Sequence, residues 1–120
     1  MYKIAVQGNF SSAHNLRNYH GQCEKLHGHN WKVEVQCRAD ALDSSGMLLD
    51  FRILKEKLNQ VLKEIDHCYL NEQKAFLSVN PTAENIAGFI YKQLKTGVPL
   101  LSRVIIWESE NSRAEYCESI

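Results

Sequence analysis

The sequence has no excess of charge of either sign. Lys plus Arg and Asp plus Glu both number 14, so the formal net charge is zero with neutral histidines. No basic stripe makes an electrostatic case for nucleic acid. Long apolar runs are missing too: nothing approaches the roughly 20 residues that span a bilayer. The opening Met1-Tyr2-Lys3-Ile4 lacks the apolar core of a signal peptide. The expectation is a cytoplasmic protein with neither a membrane nor a nucleic-acid partner. Cys23, Cys37, Cys68 and Cys117 form no C-x-x-C and no tight pairing pattern. In a reducing compartment such thiols are mostly small core residues, with room for one reactive member. There is no internal repeat, low-complexity tract or linker. What is present is 120 residues, 44% hydrophobic and 23% charged. That predicts one domain, residues 1–120, able to hide roughly two-thirds of its unfolded surface.

Ile4, Val6 and Phe10, with polar residues between, predict a strand over residues 2–14 in which Gly8-Asn9 marks a bulge. Residues 15–26 have no period and read as a loop. The clearest pattern follows: His27, His29, Trp31, Val33, Val35, Cys37 and Ala39 alternate with Gly28, Asn30, Lys32, Glu34, Gln36 and Arg38. Period two over this length means a strand with one covered face and one polar face. A turn at 43–46 and a short extended Met47-Leu48-Leu49 lead to Asp50. This residue is an N-cap for a helix carrying Phe51, Leu54, Leu58, Val61, Leu62 and Ile65 at helical spacing. Residues 66–80 read as irregular. Thr82 caps a second helix with Ile86, Ile90 and Leu94 on its stripe, stopped by Gly97 and Pro99. Val104–Trp107 read as a buried strand, and a turn near Asn111-Ser112 leads to a last strand around Tyr116 and Cys117. The order strand, strand, helix, helix, strand, strand predicts an α+β domain with two helices on one face of an antiparallel sheet.

Three histidines carry the chemistry. On a strand, residues i and i+2 face the same way, so His27 and His29 can reach one ion, and Gly28 leaves the backbone between them uncrowded. His14 ends the first strand, and a loop over 15–26 returns the chain beside it. Three neutral imidazoles suit zinc and leave a fourth position open, the arrangement of a catalytic site. A bare H-x-H also occurs without any metal. Cys23 can serve as a thiolate base, as a fourth ligand closing a structural site, or as an inert loop cysteine; spacing leaves all three open. Asp66-His67 reads either as a proton carrier held by a carboxylate or as a helix C-terminal feature. Glu108 ends the buried strand, where a carboxylate can accept two hydrogen bonds from a guanidine-like ring edge or simply face solvent.

Together and in this order, these residues resemble the 6-pyruvoyl-tetrahydropterin synthase/6-carboxytetrahydropterin synthase family of the tunnelling fold. The matching segments are FSSAH (10–14), CEKLHGHNW (23–31), GMLLDF (46–51), IDHCYLN (65–71), PTAEN (81–85) and WES (107–109). They cover nearly the whole chain, and as a set they are highly specific. The resemblance implies a four-stranded antiparallel sheet with two helices on one face, in ββααββ order. It also implies a homohexamer of two trimers, in which sheets join into barrels and active sites form between subunits. Such an assembly would cover the two edges that a lone sheet exposes.

The resemblance further implies zinc on His14, His27 and His29, and Cys23 as catalytic base with Asp66 and His67 as its proton-transfer pair. Glu108 becomes the pterin anchor, gripping the 2-amino and N3 edge, and Thr82, Ala83 and Glu84 line the same pocket. The implied substrate is 7,8-dihydroneopterin triphosphate. C-x-x-x-H-G-H resembles the 6-carboxytetrahydropterin synthases of queuosine biosynthesis, lyases whose reaction releases acetaldehyde and triphosphate. Glu24 adds E-x-x-H-G-H, which resembles a branch that cleaves the side chain to 6-hydroxymethyl-dihydropterin for folate synthesis. A third product within the family is 6-pyruvoyl-tetrahydropterin. Arg17 and Lys25 are candidate triphosphate contacts by their place in the loop. The alternative from another class is a non-enzymatic structural zinc protein, with Cys23 joining the three histidines.

Overall fold

The alternating segment forms β2 (His27–Ala39), the inner partner of β1 (Tyr2–His14) in a computed structural model that describes residues 1–118. Ser119 and Ile120, the end of the single domain expected over 1–120, lie outside the described residues. α1 (Phe51–Lys63), α2 (Ala83–Lys95), β3 (Leu101–Ser109) and β4 (Ser112–Tyr116) complete the order. The four strands make one sheet in the order β1-β2-β3-β4, every neighbouring pair antiparallel. Among the described residues no helix is long and apolar enough to cross a membrane.

One face of the sheet is covered. Trp31, Val33, Val35 and Cys37 are fully buried along β2, while Lys32 and Arg38 point to the exposed face. α1 presents Leu54, Leu58 and Leu62, one turn apart, and α2 presents Ile86, Ile90 and Leu94. Both helices begin where expected: Asp50 accepts from the Arg52 N–H and Thr82 from the Asn85 N–H, each satisfying a donor that a helix start leaves free. Lys95 then ties the end of α2 to the strand that follows, donating to the carbonyls of Pro99 and Leu101.

Several expectations are corrected. No bulge forms at Gly8-Asn9; pairing runs unbroken from Tyr2↔Ala39 to His14↔His27. Gly8 instead lies under α1, where a Cβ would sit 3.0 Å from Leu62 Cδ1 and 3.2 Å from Leu58 Cδ2. The bulges fall between Gln36 and Cys37 and between Trp107 and Ser109. Leu48 and Leu49 make bends rather than an extended segment, and Cys117 lies beyond β4. Phe51, at the first position of α1, is 59% exposed, because α1 turns its Leu54 face to the sheet. Of the four thiols only Cys37 is fully buried, and burial pushes it up to about 11.

Residues 66–80 are irregular, as expected, with two short 3-10 turns at Leu70–Glu72 and Lys74–Phe76. Their start runs beside the end of β1. The Ser11 N–H donates to Asp66 Oδ1, the His67 N–H to the Ser11 carbonyl, and the Ala13 N–H to the Cys68 carbonyl. This segment therefore covers the free edge of β1 next to His14. The contact under α1 yields a prediction: Gly8→Val should lower stability by about 1–3 kcal/mol, the usual cost of forcing methyl groups into a filled space. Urea denaturation of wild type and variant measures it.

Candidate active site

Strand register builds the histidine cluster. His14 and His27 are direct cross-strand partners, and His29 lies opposite Ser12, so period-two alternation puts all three imidazoles on one face. Their ring centroids are 4.6 Å (His14–His27), 4.8 Å (His27–His29) and 5.1 Å (His14–His29) apart. Trp31 forms the floor, edge-on at 5.0 Å from His14 and 5.1 Å from His29. Gly28 occupies the opposite face, where an added Cβ would meet only the Ser12 carbonyl, at 3.9 Å.

Backbone carbonyls orient two of the rings. His14 Nδ1 lies 2.7 Å from the Pro81 carbonyl and His27 Nδ1 lies 2.9 Å from the Lys25 carbonyl. A carbonyl can only accept, so each Nδ1 carries the proton and each Nε2 keeps a lone pair. Burial holds the His29 pKa below the ordinary imidazole value; the Glu108 charge opposes this, and His14 and His27 add to it. His29 is thus kept in the neutral form that ligates metals.

Glu108 on β3 completes the group. Its Oε1 lies 2.9 Å from His29 Nε2 and 3.5 Å from His14 Nε2. One ligand atom from each of His14, His27, His29 and Glu108 lies within 4.8 Å of all the others. The Nε2 atoms of His14 and His29 are buried without a hydrogen-bond partner, a costly state that a cation would relieve. By donor chemistry and by these orphaned nitrogens, the four residues can hold a metal ion. Cys23 is exposed and is not one of the four, so the closed site with Cys23 as fourth ligand is not formed.

Beside the cluster is a cavity of about 230 Å³ between His14, Glu108 and the start of α2, where Thr82, Ala83 and Glu84 line it. Leu16 and Glu24 form its other wall. The structure thus gathers the three histidines, Glu108 and the Thr82–Glu84 turn, but neither Cys23 nor the Asp66-His67 pair lines the cavity. Asp66 and His67 do form a pair, His67 Nδ1 lying 2.9 Å from Asp66 Oδ1. A regular strand would point these neighbours apart. His67 adopts φ +52°, a conformation uncommon for a residue with a side chain, and this brings the two together. The Ser11 N–H and then the His67 ring hold the Asp66 carboxyl below the usual carboxylate range. The His67 side chain remains 80% exposed.

Arg17 is corrected from candidate phosphate contact to loop clasp. Its guanidinium donates to the carbonyls of Val79, Asn71 and Phe76, at 3.2, 3.0 and 2.6 Å. Asn80 accepts from the Arg17 N–H and donates to the Arg17 carbonyl, and Asn71 does the same for Asn15. Glu24 closes the loop on itself: its carboxylate accepts from the Leu16 N–H at 3.1 Å and its N–H donates to the Leu16 carbonyl. Lys25 contributes its carbonyl, to His27, as described. Asn15 and Asn80 did not stand out in the sequence, because isolated amides in aperiodic segments carry no spacing signal, and Asn71 entered only as the end of the IDHCYLN segment.

The fold and this cluster define the class: an α+β domain of the tunnelling-fold type with a histidine-rich cluster able to hold a metal ion. The family profile described as 6-pyruvoyl tetrahydropterin synthase matches residues 3–119. A 6-carboxy-5,6,7,8-tetrahydropterin synthase of Synechocystis is 37% identical, the alignment covering 97% of this chain and 93% of the relative. A dihydroneopterin monophosphate aldolase of Pyrococcus furiosus is 32% identical over 94% of this chain and 95% of its own. The structure of Caenorhabditis elegans 6-pyruvoyl tetrahydropterin synthase superposes with a TM-score of 0.86 at 26% identity, covering 98% of this chain and 96% of that one. The chain belongs to the 6-pyruvoyl tetrahydropterin synthase family and is an enzyme, a lyase of this kind.

The clasp yields a further prediction. Arg17→Ala leaves three carbonyls without their donor and should cost about 1–3 kcal/mol. Hydrogen exchange should speed up in residues 15–26 and 71–80 while the β2–β3 amides stay protected.

Proposed function

We propose that the protein is a zinc-dependent 6-carboxytetrahydropterin synthase. It converts 7,8-dihydroneopterin triphosphate to 6-carboxy-5,6,7,8-tetrahydropterin, releasing acetaldehyde and triphosphate, as a cytoplasmic step of queuosine biosynthesis. The observation that carries this reading is the convergence of His14, His27 and His29 on one point beside a cavity that His14 and Glu108 share with Thr82–Glu84. His14, His27 and His29 hold the zinc, which when bound supplies Lewis-acid polarisation of the substrate's side-chain oxygens. Thr82, Ala83 and Glu84 line the ring pocket, and Glu108 accepts hydrogen bonds from the 2-amino and N3 edge. Cys23, as thiolate, moves protons at the side-chain carbons. His67, held by Asp66, carries the complementary proton.

The assembly belongs to the same proposal. A cavity of about 230 Å³ is below the roughly 300 Å³ at which small-molecule sites begin. Cys23 and His67 also face outward from a single chain. Both observations support a pocket completed by neighbouring chains in a hexamer of two trimers. Light scattering should find that hexamer, and an active monomer would refute it.

The product is tested by incubating the protein with dihydroneopterin triphosphate and identifying the products by mass. The 6-carboxy compound is expected. A 6-hydroxymethyl product would assign the folate-type cleavage that Glu24 and the aldolase relative suggest, and a 6-pyruvoyl product the third route. Cys23→Ala should lose the 6-carboxy product by about a hundredfold or more, the scale of a general base. Its metal content should stay unchanged, because the four clustered residues remain.

A further inference from the structure

We propose that Glu108 is a metal ligand in the substrate-free protein and gives up that position when a pterin ring arrives. The inference rests on the metal-site reading above. Metal–ligand bonds of about 2.0–2.1 Å place tetrahedral ligand atoms roughly 3.3 Å apart. The Glu108 Oε1 contacts, 2.9 Å to His29 Nε2 and 3.5 Å to His14 Nε2, lie either side of that value. Neither contact is a hydrogen bond, and both Nε2 atoms are buried without a partner. Two unpartnered imidazole nitrogens and a carboxylate oxygen clustered about one point suit a cation.

The backbone puts Glu108 there. Trp107 pairs with Arg113 and Ser109 with Ser112, which leaves Glu108 as the extra residue of the β3 bulge, a device that re-aims a side chain. The Glu108 side chain is 35% exposed, so it has room to swing. Cys23, the other residue considered for a fourth position, is exposed and outside the cluster.

The consequence is an exchange. One carboxylate cannot hold the metal through Oε1 and grip the two-donor edge of a pterin in the same pose. Ring binding therefore withdraws Glu108 and vacates a coordination position for the substrate's side-chain oxygen. Without substrate, that position is closed to stray ligands.

Cobalt(II) substitution reads this directly, since the d–d absorption follows the ligand set. The probe is 6-methylpterin, which has the ring edge but no side-chain hydroxyl. Wild-type protein loaded with one cobalt per chain should change its visible spectrum on adding 6-methylpterin. Glu108→Gln, which keeps the side-chain volume, should differ from wild type before any ligand is added and bind cobalt about tenfold or more weakly. Matching resting spectra for wild type and Glu108→Gln would overturn the inference, as would a wild-type spectrum indifferent to saturating 6-methylpterin. Failure of the wild-type protein to take up cobalt at all would overturn the metal-site reading along with it.

Discussion

The in-register pairing of His14 with His27 is the constraint on which the site depends. Neighbouring side chains on a strand alternate faces, so a one-residue slip between β1 and β2 would turn either His14 or the His27–His29 pair away from the core. The register is held from below by what the same face buries. Phe10 sits opposite Trp31, their rings stacked with centroids 5.8 Å apart, and Val33 and Val35 follow on the same face under the helices. The hydrophobic core and the ligand set are two stretches of one alternation, and the first disciplines the second.

Around that apolar base the active end of the molecule is built from polar groups that hold backbone. Pro81 is the link: its carbonyl orients His14 while its neighbours are Asn80, paired to Arg17, and Thr82, the cap of α2. One tripeptide thus joins a cluster histidine, the 15–26 loop and the helix whose start lines the cavity. On the other side Ser12, buried beneath the cluster, donates to the Ile65 carbonyl and fixes the chain as it leaves α1 toward Asp66. Side-chain amides and hydroxyls hold these loops together with the packing of Leu70 and Phe76 into the core.

What could be read in the sequence was what is local. The alternation from His27 to Ala39, the caps Asp50 and Thr82, and the shared face of His27 and His29 follow from spacing within a few residues. Gly8 misled because its cause is distant: it answers to Leu58 and Leu62, brought over it by the return of α1. Glu108 was legible as a strand-end carboxylate, but its approach to His29 needs the β2–β3 register and a bulge that no residue pattern announces. Arg17 looked available for an anion because its partners, the carbonyls of Asn71, Phe76 and Val79, are backbone atoms with no sequence signature.

Trp31 has an optical consequence. The chain has two tryptophans, and they report on different places. Trp107 lies on the open face of the sheet, with the Lys32 ammonium 4.2 Å from its ring centre. Trp31 is fully enclosed, touching two of the cluster histidines edge-on. Its emission belongs at the blue end of the protein's fluorescence, and protonation or ligation of the imidazoles above it changes the field across the indole. The floor of the site is therefore also its built-in lamp, and replacing Trp107 with Phe would leave that lamp burning alone.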